Sequence, residues 1–112
     1  LPQGFSNGGG TNLQHLARQA QKLQDEMDAA NAELELKEYS ATVGGNAVTA
    51  IVTGKMEIKS LTIKPEVVDP QDIDMLSELV IAAVNEAIRA AVTEKTETMD
   101  KLSGGLHMPG VL

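Results

Sequence analysis

Residues 12–34 read NLQHLARQAQKLQDEMDAANAEL, and the spacing of the apolar residues in this stretch decides the fold. Leu13, Leu16, Ala20, Leu23, Met27, Ala30 and Leu34 recur at 3-4-3-4-3-4, an a/d heptad pattern, with neither Gly nor Pro from Asn12 until Gly44. The pattern predicts a helix from about Asn12 to about Lys37, roughly 38 Å long at ~1.5 Å per residue. A 3.5-residue period also predicts a left-handed seam against another long helix. Leu16, Leu23, Met27 and Leu34 are the expected packing residues of that seam. Self-association is the economical way to cover it, and an intramolecular hairpin with a second helix is the alternative.

Downstream the period changes from helix to strand. Tyr39, Ala41 and Val43 alternate with Glu38, Ser40 and Thr42. Gly44-Gly45-Asn46 tolerates positive φ in a tight turn. Val48, Ala50 and Val52 then alternate with Thr49, Ile51 and Thr53, a run rich in β-branched residues. Gly54-Lys55 turns the chain again into a third strand, Met56 to Lys64. Its apolar phase slips between Ile58 and Leu61, which predicts a bulge near Lys59-Ser60. Three short strands joined by tight turns make an antiparallel meander.

Pro65 cannot donate to a ladder and ends the third strand. Asp69 suits a helix N-cap, Pro70 the first helical position, and Asp72 the positive end of the dipole. Ile73, Leu76, Val80, Ala83, Val84, Ala87, Ile88, Ala91 and Val92 form a broad apolar stripe. Weaker periodicity continues to Met99 and Leu102, before Gly104-Gly105. The expected organisation is a flexible arm over 1–11, a single α-β-β-β-α domain over 12–102 and a tail over 103–112, an α+β fold. The arm is glycine-rich and holds Phe5.

Composition narrows the function. The chain has 112 residues, so one domain is expected, and no cysteine, which removes disulfides, thiolate nucleophiles and zinc-finger spacings. Aromatics total two, Phe5 and Tyr39, so the core is aliphatic, and a core this small is often completed by oligomerising. The start lacks the pattern of a signal peptide, and the longest uncharged stretch, 40–54, is too polar to span a bilayer. A soluble cytoplasmic protein with no membrane association is expected.

Catalytic chemistry finds no foothold. The sixteen carboxylates fall mostly on expected solvent faces, where Asp and Glu belong. His15 and His107 lie near opposite ends of the chain, away from any metal-ligand spacing, and no Ser or Thr has a plausible histidine base. Gly8-Gly9-Gly10 precedes no strand-to-helix turn, so a phosphate loop is unsupported. No enzyme activity, cofactor, metal or small-molecule substrate is expected.

The net charge of −7 opposes all-over attraction to nucleic acid. Its distribution is uneven. Residues 12–24 carry Arg18 and Lys22 and no acid, whereas residues 25–38 carry six acids against Lys37. Residues 66–78 carry five acids and no base, and bases return with Arg89, Lys95 and Lys101. If helix one ends at the sheet and helix two begins there, the acidic halves gather at the sheet and the basic ends project outward. Arg18 and Lys22 form an i, i+4 pair. On the residues alone, two cations on a helix are most often an ordinary solvated face.

Four stretches, taken in order, resemble the YbaB/EbfC family of bacterial nucleoid-associated proteins. Leu16-Ala17-Arg18-Gln19-Ala20-Gln21-Lys22-Leu23-Gln24 is similar to its glutamine-rich opening of helix one. Ile63-Lys64-Pro65-Glu66-Val67-Val68-Asp69-Pro70 looks like its strand-to-helix joint, and Val80-Ile81-Ala82-Ala83-Val84-Asn85-Glu86-Ala87 fits its helix-two pattern. Gly104-Gly105-Leu106 with Met108-Pro109-Gly110 is similar to its C-terminal signature. The resemblance spans nearly all of 12–112. It implies a tweezer-like homodimer that binds double-stranded DNA, alters its conformation and resides at the nucleoid in the cytoplasm, without cofactor or catalysis.

With the resemblance, Arg18, Lys22, Lys95 and Lys101 become the expected DNA contacts. The family's helix one often carries several lysines and here holds only Arg18 and Lys22 before an acidic half, which bears on the strength of binding. Low sequence specificity is expected, because phosphate contacts act through counterion release and no base-reading helix or aromatic platform is present. Two other readings fit the architecture: a prefoldin-like holdase, which would need exposed apolar helix ends such as Met99 and Leu102, and a structural partner of a replication or repair protein.

Overall fold

A computed structural model describes residues 2–104, with side chains from Asn12 onward. The order is α1 (Pro2–Glu35), β1 (Glu38–Val43), β2 (Val48–Thr53), β3 (Ile58–Ile63), a 3-10 turn over Pro65–Val67 and α2 (Ile73–Leu102). This is the α-β-β-β-α, α+β arrangement that the changes of period imply.

The strands pair antiparallel in the order β1-β2-β3. Val43 faces Val48 and Glu38 faces Thr53 across the first hairpin. Gly44, Gly45 and Asn46 between them all have φ between 65° and 73°, so residues that tolerate the left-handed region are required there. In the second hairpin Ile51 pairs with Ser60 but Val52 pairs with Ile58, leaving Lys59 as the extra residue of a bulge. That is the phase slip visible in the sequence. The bulge keeps Ile58, Leu61 and Ile63 on the side of the sheet that carries Val52, Ala50 and Val48.

α2 lies on that side, over β1 and β2. Its Ala83 and Ala87 pack against Ala41, Val48, Ala50 and Val52 in one core cluster. Alanines on the helix let it approach β-branched residues on the sheet closely, and Val48, Ala50, Val52, Ala83 and Ala87 are completely buried. The direction of α2 follows from two contacts. Leu79 sits at the β1–β2 turn, close enough to Gly44 that a side chain there would strike it. Glu94 forms an ion pair with Lys37 at the start of β1. The helix therefore crosses the length of the sheet, and its last turns run back beside the end of α1, which it contacts.

Several boundaries differ from the sequence reading, β3 among them, which spans Ile58–Ile63 where Met56 to Lys64 was expected. α1 extends to Pro2 instead of starting near Asn12, so residues assigned to an arm have helical backbone. Elongating an existing helix fixes one residue per hydrogen bond gained, and proline is tolerated in a first turn. At its other end α1 stops at Glu35 and closes with tight i→i−3 bonds from Leu36 and Lys37. α2 starts three residues later than Asp69-Pro70 indicated. The Asp69 carboxylate accepts the Gln71 N–H at 2.9 Å, which closes a turn of its own. The cap passes to Asp72, whose carboxylate accepts the Met75 N–H at 3.2 Å. The part of the expected tail beyond Gly104, with the Met108-Pro109-Gly110 signature and His107, lies outside the described residues, as does the side chain of Phe5.

Candidate nucleic-acid interface

α1 spans 34 residues, about 51 Å at ~1.5 Å per residue. Beyond Glu94, α2 has only Lys95 to Leu102, about 12 Å, to set beside it. Most of α1 therefore extends past its partner helix, and burial along it records this. Leu34 is buried and Met27, Ala30 and Leu23 are half-buried, whereas Leu16 is 57% and Leu13 67% exposed. Burial thus fades along the seam from Leu34 to Leu23, and Leu16 and Leu13 are bare. The molecule is accordingly elongated, 83 Å in its longest dimension against 29 Å and 17 Å in the others.

Arg18 and Lys22 lie on this free stretch, both exposed. At ~100° per residue they stand roughly opposite the Leu13–Leu23 stripe. The next two turns are polar and acidic, and side-chain amides of Gln21 and Gln24 donate to Asp25 at 2.9 Å and Asp28 at 2.8 Å. These bonds engage two of the carboxylates next to the cations along the helix. Lys95 and Lys101 are exposed on the end of α2 beyond the sheet. Lys101 shares an open groove of about 600 Å³ with Arg89, Thr93, Glu94 and Glu97, so acids balance its surroundings.

The structure corrects one element of the charge argument. α2 begins at the far end of the sheet, by the β1–β2 turn, and not where α1 ends. Its acidic start, with Asp69, Asp72, Asp74 and Glu78, is thus separated by the length of the sheet from the acidic end of α1. The inference about the bases is unaffected, because the free part of α1 and the end of α2 still extend beyond the sheet.

Ion pairing then divides the nine basic residues. Lys37 is bound to Glu94 of α2, and Lys59 on β3 to Glu38 on β1 across the middle strand. The hydrogen bond and charge of Glu94 raise the Lys37 pKa above its ordinary value. Burial, reinforced by Glu94, raises that of Tyr39. Among the described residues Arg18, Lys22, Lys55, Lys64, Arg89, Lys95 and Lys101 make no ion pair. Lys64 and Arg89 are exposed cations that the charge tally gave no role. The only signal for them is their presence in the sequence, since nothing local separates a free lysine from a paired one.

A second uncovered surface lies on α2. Ile81 and Val92 stand exposed there, beside the Ala83-Ala87-Ala91 line that is buried, whereas Val84 and Ile88 are half-buried against the core. Ile81 remains 59% exposed. Ile58 and Leu61 on the sheet's helix-bearing side are likewise exposed, because α2 sits over β1 and β2. No described helix is long and apolar enough to cross a membrane.

The chain is similar to several known proteins. A nucleoid-associated protein of Clostridium kluyveri is 51% identical over 109 residues, covering 96% of each chain. One of Clostridium acetobutylicum is 51% identical over 108 residues with the same coverage. An uncharacterized protein of Helicobacter pylori shares the fold at a TM-score of 0.68 and 15% identity, over 78% of this chain and 91% of that one. Residues 8–106 match the YbaB/EbfC DNA-binding family, and the chain belongs to it.

Proposed function

We propose that this member of a DNA-binding family acts as a homodimer at the nucleoid, binding duplex DNA with little sequence preference and altering its conformation. The observation that carries the reading is the placement of unpaired cations. Arg18 and Lys22 stand on a stretch of α1 free of intrachain contacts, and Lys95 and Lys101 on the projecting end of α2, while Lys37 and Lys59 are consumed by ion pairs. Cations on protruding helices can reach phosphates without bringing the acidic body of a −7 chain against them. Such contacts supply affinity without reading bases. Cofactor, metal, membrane and catalysis play no part in this reading, and the protein works in the cytoplasm.

The exposed Ile81 and Val92 on α2 and the exposed Ile58 and Leu61 on the sheet support the homodimer. Several large apolar side chains left exposed on a small domain are a usual mark of a partner surface. Holdase activity remains the second reading, favoured by the exposed Leu13 and Leu16, although Met99 and Leu102 are half-buried. Titrating duplex DNA at low and at physiological salt tests the proposal. Binding that weakens steeply with salt and hardly varies with sequence supports it. Absence of binding at low salt, with suppression of aggregation of an unfolded client, would replace it with the holdase.

A further inference from the structure

The free stretch of α1 carries a surface that neither the intrachain packing nor the DNA contacts use. Leu13, Leu16 and Ala20, all exposed, and the half-buried Leu23 continue the heptad seam beyond the end of α2, and Leu16, Gln19, Ala20 and Leu23 line a hollow of about 280 Å³. The hollow forms over Ala20, where a small residue stands between Leu16 and Leu23. The residues flanking the seam are Ala17, Gln19 and Gln24, all neutral. Arg18 and Lys22 fall on the opposite face of the helix.

From this arrangement we infer that α1 of one dimer pairs antiparallel with α1 of another through residues 13–23. This rests on the proposed dimer. In the antiparallel register Leu13 meets Leu23 of the other copy and Leu16 meets Ala20, so each small residue receives a large one and both hollows fill. Gln19 meets its own equivalent across the seam, and no like charges are forced together. A parallel register would instead stack Ala20 on Ala20 and leave the gap open. The two-heptad overlap is short, so the contact is weak alone and gains effect when DNA holds dimers close together. Since the cations face away from the seam, pairing leaves them free for phosphate, and the paired assembly joins two DNA segments.

The absence of cysteine from the 112 residues makes the contact measurable by a single introduced thiol. Gln19→Cys, mildly oxidised at millimolar concentration without DNA, should cross-link rapidly and give a native mass twice that of the dimer. Arg18→Cys, on the opposite face, should cross-link much more slowly. Equal rates overturn the inference, and so does a cross-linked species that keeps the native mass of a dimer, because the seam would then be internal to it. Leu13→Ser with Leu16→Ser, both exposed in the folded chain, should reduce capture of a second duplex at least tenfold. Affinity for a single duplex should stay within twofold. Unchanged capture overturns the inference as well. If the parent protein fails to bind DNA, the proposed function falls, and the cross-linking result still decides this contact.

Discussion

Gly54, in the β2–β3 turn, lies so close to Leu34 at the end of α1 that a Cβ at position 54 would stand 1.8 Å from the Leu34 carbonyl oxygen. The Gly54 N–H also donates to the Lys37 carbonyl at 3.0 Å. The second hairpin is thereby fastened to the point where α1 hands the chain to the sheet. Gly54→Ala should destabilise the fold by on the order of 3 kcal/mol, because the obstructing atoms are backbone and cannot rotate away. Urea denaturation measures this, and a loss below 1 kcal/mol would mean that the helix end shifts easily.

Met56, which closes the turn over Thr53–Met56, occupies the left-handed region at φ 64°. A type I turn followed by a left-handed residue is a common hairpin connection, normally with Gly or Asn in that place. Met56→Asn should raise stability by about 0.5–1 kcal/mol, since an unbranched thioether has no way to offset the strain locally. A midpoint shift in urea without a change in slope is the expected signature. A stability loss would show that packing of the Met56 side chain outweighs its backbone strain.

Alkaline pH should weaken the fold through Lys37 and Tyr39. The folded state favours protonated Lys37, so that contribution is complete below the ordinary lysine pKa and is lost as pH rises through the raised folded value. The Tyr39 phenol is also kept neutral in the fold, and ionisation of the unfolded chain draws the equilibrium toward unfolding above its ordinary value. Both effects begin near pH 10 and act in the same direction. Tyr39→Phe with Glu94→Gln should flatten the stability profile between about pH 9 and 11. A profile as steep as the parent's would assign the loss to other groups.

The proposed dimer surface can be probed where the single chain tolerates change. Ile81 is exposed on α2, so Ile81→Glu should cost the protomer little and place a carboxylate in an apolar dimer interface, where an unpaired charge is strongly disfavoured. Sedimentation equilibrium should show the parent as a dimer at low micromolar concentration and the variant as largely dissociated, by at least about 2 kcal/mol. A variant that remains as tightly associated as the parent would move the interface to another surface, with the α1 seam next in order.

What could be read from the chain divides along a physical line. Periodicity is a property of neighbours in sequence, so the heptads of α1, the alternation of Val48 to Thr53 and the bulge at Lys59 were all legible. Competition between local bonds was harder. Asp69 and Asp72 both suit a cap, and only the Asp69–Gln71 bond settles which one serves. Direction through space was not legible either. The path of α2 depends on Leu79 meeting Gly44 and Lys37 meeting Glu94, contacts between residues 35 and 57 positions apart. The same limit applied to the candidate site. The exposed position of Arg18 and Lys22 followed from the heptad phase, whereas the removal of Lys37 and Lys59 from the free cations depends on partners brought together by folding.

The DNA prediction depends on that last distinction. Each phosphate neutralised on duplex DNA contributes a slope of about −0.9 in log affinity against log salt. A dimer offering Arg18 and Lys22 from each subunit, with help from Lys95 and Lys101, should give a slope of roughly −3 to −6. Arg18→Ala with Lys22→Ala should flatten it by about 2 to 4 and weaken binding alike on unrelated sequences, with the dimer mass unchanged. Lys95→Ala with Lys101→Ala should flatten it less, because Lys101 shares its groove with Glu94 and Glu97. Lys37→Ala with Lys59→Ala should scarcely move it, because Glu94 and Glu38 already hold those charges. Fluorescence anisotropy across a salt series reads all three double variants. If the Lys37 and Lys59 variant loses as much slope as the Arg18 and Lys22 variant, DNA contacts the sheet edge instead of the projecting helices.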